Sequence, residues 1–235
     1  MAESLPFRLI LASASPARRY LLSREGYSFD VVPSNVDEPG GEDFHDPRAL
    51  VAHIAGLKAA AVAASIAGER RGVSPTCQGH DTGTSGPATT SGSRLDARPT
   101  CVLAADSLGW HASKPIGKPA DVADARRILT ALMGTRHQLW TGVCLWLLPG
   151  NIQVAWQEAS TVEMSRLPDA ELEAYLAGGR WEGCSGAYAI QETGNDPLVR
   201  VVDGTISNVI GLPMETLEKV FRWLAKDVNA WPAID

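Results

Sequence analysis

Residues 7–22 read FRLILASASPARRYLL, and few folds accept that order: a strand, a tight loop and a helix start that together can hold an anion. Arg8 to Ala12 is a short apolar run of the kind that forms a buried strand. Ser15 is a natural N-cap, and Pro16 suits the first helical position because its missing N–H is an orphan there in any case. The first turn of such a helix presents unpaired N–H groups and the positive end of the helix dipole. Arg18 and Arg19 add fixed positive charge in the same turn. A phosphate group fits this description. An ordinary capped helix with two solvated arginines fits it as well, since no glycine-rich loop accompanies the motif.

The chain has 235 residues, enough for one large domain or two small lobes around a cleft. Its 27 acidic and 21 basic side chains give a net charge of −6, which argues against a nucleic-acid polymer as partner. A small anionic ligand stays open, because a few focused cations or a divalent metal invert the local field. The four cysteines (Cys77, Cys101, Cys144 and Cys184) are scattered without a CxxC pair, so neither a zinc site nor a disulfide framework is expected. The N-terminus lacks a basic region followed by an apolar core, and no long uninterrupted apolar run is evident. A cytoplasmic protein with no membrane association is the expectation.

The chain reads as a single domain, 1–235, of mixed α/β class. Phe29 to Pro33 resembles a strand, and Pro47 to Ala67 is an alanine-rich helix with Leu50, Ile54, Leu57 and Ala61 at helical spacing. Residues 68–100 are rich in Gly, Ser, Thr and Pro and almost free of large apolar side chains, the composition of a flexible surface insertion. Strand-like sequence resumes at Cys101 to Ala105. A helix over Asp121 to Met133, strands over His137 to Leu148 and Asn151 to Glu163, and a short helix near Leu167 to Leu176 follow. Leu198 to Val202 and Ile206 to Ile210 flank Asp203-Gly204, a hairpin signal, and Met214 to Ala225 is a closing helix. Helices alternating with strands, then strands pairing in hairpins, point to a long curved mixed sheet flanked by helices.

Asp106 is the first candidate for chemistry. It stands where the apolar strand CVLAAD ends, and the carboxyl ends of strands line ligand crevices in open α/β sheets. A carboxylate there can hold a hard divalent cation or take a proton from water. Lys118, between Gly117 and Pro119, offers a point charge on a stiffened turn. Lys58 lies on the alanine-rich helix, where a solvated face is the ordinary place for a lysine. Asp37 and Glu38 are either turn residues or the source of a second metal ligand beside Asp106. Ser185 to Gly194, SGAYAIQETG, has small residues that allow close backbone approach, and Gln191 offers an amide able to pair with a base edge. His137 reads as structural. Acids for a metal, cations for phosphates and an amide for a base together suggest a nucleoside triphosphate.

In order along the chain, LASASPARRYLL, the VDE acids at 36–38, Lys58, AADS around Asp106, GKP at 117–119, SGAYAIQETG and ISNVIGLPMETL at 206–217 resemble the Maf-like nucleoside triphosphate pyrophosphatases. That resemblance implies a two-lobed α/β fold with a deep cleft, dependence on Mg²⁺ or Mn²⁺, frequent homodimers, and hydrolysis between the α- and β-phosphates. By the same resemblance Asp106 accepts the proton of the attacking water and touches the metal. Glu38 helps hold the metal, and Ser13, Ser15, Arg18, Lys58 and Lys118 surround the triphosphate. Ala17, Ser107 and Gln191 match the family's substrate-selecting positions. The branch acting on dTTP and UTP has arginine, threonine and glutamine there, and the branch acting on 7-methyl-GTP has a bulky aromatic first and an acid last. Gln191 agrees with the first branch, Ala17 with neither, and Ser107 keeps the hydroxyl without the methyl. A nucleotide-binding regulator of cell division and a phosphate-monoester hydrolase are the rival readings. The first would bind without releasing pyrophosphate, and the second would release orthophosphate.

Overall fold

The computed structural model describes residues 4–39, 44–72, 98–190 and 198–226. Its strands are β1 (Arg8–Leu11), β2 (Asp30–Val31), β3 (Thr100–His111), β4 (Lys114–Ile116), β5 (Arg136–Leu148), β6 (Ile152–Met164) and β7 (Val199–Asp203). Its helices are α1 (Pro16–Arg24), α2 (Pro47–Gly72), α3 (Val122–Leu132), α4 (Asp169–Ala177), α5 (Ile206–Ile210) and α6 (Met214–Lys226). All seven strands form one mixed sheet in the order β2-β1-β3-β5-β6-β7, with β4 paired to the far end of β3. β1 runs parallel to β2 and β3, and the remaining pairs are antiparallel.

Both faces of β3 are covered, which explains why CVLAAD is uniformly apolar up to its last residue. Side chains alternate across a strand. Cys101, Leu103 and Ala105 therefore enter a core with Phe7, Leu9, Leu11, Leu21 and Phe221. Val102 and Ala104 enter another with Ile10, Ala12 and the buried stripe of α2. A third core joins α3 and α4 to the other end of the sheet through Leu129, Leu139, Leu172 and Tyr188.

The buried stripe of α2 is Leu50, Val51, Ile54, Ala55, Ala59, Val62, Ala63 and Ile66, while Leu57 points outward at 37% exposure. Lys58 occupies the stripe in its place, at 8% exposure. The expected solvated lysine is thus an inward one, because the helix rotates to lay its alanines, not Leu57, on β3 and β5. Pro47–Gly68 is long and apolar enough to cross a membrane by length and composition alone, although Arg48, His53 and Lys58 interrupt it, and half of its apolar window is buried inside the structure. The helix approaches β5 closely at Gly142. A Cβ built there stands 2.8 Å from the Ala52 nitrogen and closer still to the Val51 carbonyl. Backbone cannot retreat as a flexible side chain can. Gly142→Ala is expected to lower stability by about 1–3 kcal/mol, measured by urea denaturation, and an unchanged midpoint would contradict this packing.

Two boundaries differ from the sequence expectation. The ends of the stretch set at 68–100 belong to regular elements, since α2 continues to Gly72 and β3 begins at Thr100; the expected insertion otherwise falls on residues 73–97, outside the described residues. Ile206–Ile210 is not the second arm of a hairpin but helix α5, and β7 pairs with β6 instead. Thr205 caps α5 by accepting from the Asn208 N–H at 3.2 Å. The Asn208 side chain then donates to the Leu139 carbonyl at 3.2 Å and Ser160 Oγ at 3.0 Å. These bonds require the helical turn and outweigh the strand propensity of Ile206, Val209 and Ile210.

Candidate active site

The carboxyl end of β1, the start of α1, the middle of α2, the end of the apolar part of β3 and the segment 183–190 enclose a cavity of about 990 Å³. Ser13, Ser15, Ala17, Arg18, Glu38, Lys58, Asp106, Ser107 and Lys118 all line it, whereas Arg19 and Asp37, also singled out from the sequence, do not. Gln191 lies outside the described residues; Ile190, just before it, is in the lining.

The helix start is capped as its residues imply. Ser15 Oγ accepts from the Arg18 N–H at 3.4 Å, and the Ser15 N–H donates to Ser13 Oγ at 3.2 Å. Arg18 does not remain a solvated arginine. It is buried, and its guanidinium donates to the Gly211 carbonyl at 2.8 Å, Ser13 Oγ at 3.1 Å and Ser107 Oγ at 3.1 Å. Burial pulls its pKa down while the nearby Asp106 and Glu38 carboxylates push it back up. A guanidinium stays charged regardless. Arg19 is exposed, and its guanidinium donates to the Ala14 carbonyl at 3.1 Å.

On the other side, the Lys58 ammonium lies 2.8 Å from Asp106 Oδ1 and 2.7 Å from Glu38 Oε1. The Lys58 and Asp106 side chains are 11% and 12% exposed, whereas Glu38 is 52% exposed. Two acids far apart in sequence therefore converge on one cation. Asp37 is exposed and is absent from the lining, which leaves Glu38 as the inward member of the pair. Among the described residues no cluster of three or more His, Cys, Asp or Glu could hold a metal. Two converging carboxylates nevertheless suit Mg²⁺ or Mn²⁺, which commonly take one or two protein carboxylates and complete their shell with substrate phosphates and water. They do not suit a zinc site.

Lys118 is exposed at the cavity edge. Its turn is tied to the opposite wall, since the Gly186 N–H donates to the Gly117 carbonyl at 3.1 Å and Ser185 Oγ to the Ile116 carbonyl at 2.6 Å. Tyr188, also in the wall, is held by His137, whose Nε2 is 2.7 Å from the phenol oxygen. Burial depresses the His137 pKa to about 4, with a smaller contribution from His111, and its Nδ1 finds no partner among the described residues. His137 is buried, and it is absent from the cavity lining. Above the unfolded value near 6.5 the ring is neutral in both states and adds no pH dependence. Between about 6.5 and 4 only the unfolded chain takes the proton, so stability falls with falling pH, by at most about 1.4 kcal/mol per unit. His137→Gln is expected to remove that slope from a series of urea titrations; an identical slope would assign it to other groups.

Sequence reasoning missed Thr141, Asn208 and the Gly211 carbonyl, which join Ser107 and Arg18 in one hydrogen-bonded group. Gly211 has φ +126°, a conformation that favours glycine, and this turns its carbonyl to Arg18. Nothing local to the GLP that follows α5 revealed its distant partner.

A family model and three relatives bear on this arrangement. The family model described as "Maf-like protein" matches residues 8–224. A protein of Anaeromyxobacter dehalogenans named dTTP/UTP pyrophosphatase is 36% identical over 220 residues, 92% of this chain and 93% of its own length. Proteins of the same name from Cereibacter sphaeroides and Chelativorans sp. are 36% identical over 210 residues (88% of this chain, 89% of theirs) and 32% over 232 residues (98% of both).

Proposed function

This chain belongs to the Maf-like protein family, and from that premise we propose that it hydrolyses a nucleoside triphosphate to a nucleoside monophosphate and pyrophosphate. The observation that carries the reading is the meeting of Asp106, Glu38, Lys58 and Arg18 at one cavity large enough for a nucleotide. The relatives' names support dTTP and UTP as the substrates.

Asp106 takes the proton of a water attacking the α-phosphorus, with its carboxylate oriented by the Lys58 ammonium. Arg18 commits three N–H groups to the protein, leaving two of its five for phosphate oxygens. The start of α1 supplies further backbone donors and a favourable dipole, and Lys118 reaches the polyphosphate from the cavity edge. Glu38 and Asp106 would hold a divalent cation, which neutralises phosphate charge in the transition state. The proton on the attacking water stays the responsibility of Asp106.

The test is a panel of ordinary and modified nucleoside triphosphates assayed for pyrophosphate with Mg²⁺, with Mn²⁺ and with chelator. Pyrophosphate from dTTP and UTP, lost on chelation, is the expected result. Binding without release would favour a nucleotide sensor, and orthophosphate alone would favour a monoesterase.

A further inference from the structure

The hydrogens in the group around Ser107 can be assigned from its partners alone. Gly211 and Leu212, the two N–H groups that follow α5, both donate to the Ser207 carbonyl, at 3.1 and 3.0 Å. The Asn208 carbonyl therefore receives its hydrogen from Thr141 Oγ1, at 3.1 Å. A hydroxyl has one hydrogen to give. Thr141, having spent it, must accept in its 2.9 Å contact with Ser107, so the Ser107 hydroxyl donates to Thr141. The alternative acceptor for Ser107, the Gly211 carbonyl, lies at 3.5 Å and already takes the Arg18 Nε hydrogen at 2.8 Å. Ser107 Oγ accepts in turn from Arg18 Nη2. The direction runs from Arg18 to Ser107 to Thr141 to the Asn208 carbonyl.

Ser107 lines the cavity with one lone pair left and no hydrogen to offer. A phosphate oxygen, itself only an acceptor, gains nothing there. We propose that Thr141 is a positioning residue for specificity: by taking the Ser107 hydrogen it makes Ser107 an acceptor that selects an N–H donor on the nucleobase, the imide of uracil or thymine. Cytosine carries a lone pair at the corresponding ring nitrogen and is disfavoured. This inference rests on the nucleotide reading above and adds to it a residue that need not touch substrate.

The experiment compares kcat/KM for UTP and CTP in the wild type, Thr141→Val and Thr141→Ser. Valine keeps the shape but frees the Ser107 hydrogen, and the UTP-to-CTP ratio is expected to fall about tenfold, mainly through KM for UTP. Serine restores the hydroxyl and the wild-type ratio. Equal losses for both nucleotides in Thr141→Val would reduce Thr141 to a structural role and overturn the proposal. If the valine variant does not fold, Ser107→Ala must produce the same fall in ratio; an unchanged ratio there overturns it equally. Failure of the wild type to release pyrophosphate from either nucleotide would instead overturn the function proposed above.

Discussion

Asp106→Asn is expected to lower pyrophosphate release by about 10²–10⁴-fold, chiefly in kcat, with the fold intact. The amide matches the carboxylate in shape but cannot accept a proton from water. Loss of the charge does not strand Lys58, because its ammonium keeps the 2.7 Å contact to Glu38. Burial is therefore not left uncompensated, and stability should change little. The measurement is steady-state pyrophosphate release together with a urea titration of the same preparation. Near-wild-type turnover would remove Asp106 from its role as proton acceptor. A collapse of stability in step with activity would make the kinetic loss uninformative, and Glu38→Gln, which alters a more exposed partner of the same lysine, would then be the control.

How far the sequence alone reaches is seen in the contrast between Ser15 and Lys58. The strand, cap and proline of ILASASP are local signals, and local physics decides them: β1 ends at Leu11, Ser15 caps and α1 begins at Pro16. Lys58 depends on which way α2 rolls, a choice made by the sheet. Composition assigns it to solvent, yet Ile54, Lys58 and Val62 are spaced four apart and share one face, so a lysine inside an apolar stripe was legible as an inward charge. The helical character of Ile206–Ile210 was not legible, since its stabilising bonds run from Asn208 to residues of β5 and β6. Thr141 was hidden for the same reason. It sits mid-strand with no local mark, and only the register that sets Ser107 opposite Thr141 gives it a partner.

Lys58→Met is expected to have the larger structural effect, because the ammonium is the shared partner of both acids. Removing one member of a buried ion pair costs about 3–5 kcal/mol when the other charge is left without compensation. Here Glu38 is half exposed and recovers solvation, so the penalty falls mainly on Asp106, whose side chain is 12% exposed. A loss of about 3 kcal/mol, at the low end of that range, is the expected outcome in denaturant titrations. The penalty belongs to a stranded carboxylate, so neutralising that carboxylate should relieve it. In the double variant Lys58→Met with Asp106→Asn, the two changes should cost less than their sum by about 1–3 kcal/mol. Additive losses would show that Lys58 stabilises α2 through its packing alone. Activity should fall in both single variants for different reasons: one keeps the acid but loses the cation that orients it, and the other keeps the cation but loses the proton acceptor. The stability cycle separates these two failures where an activity assay cannot.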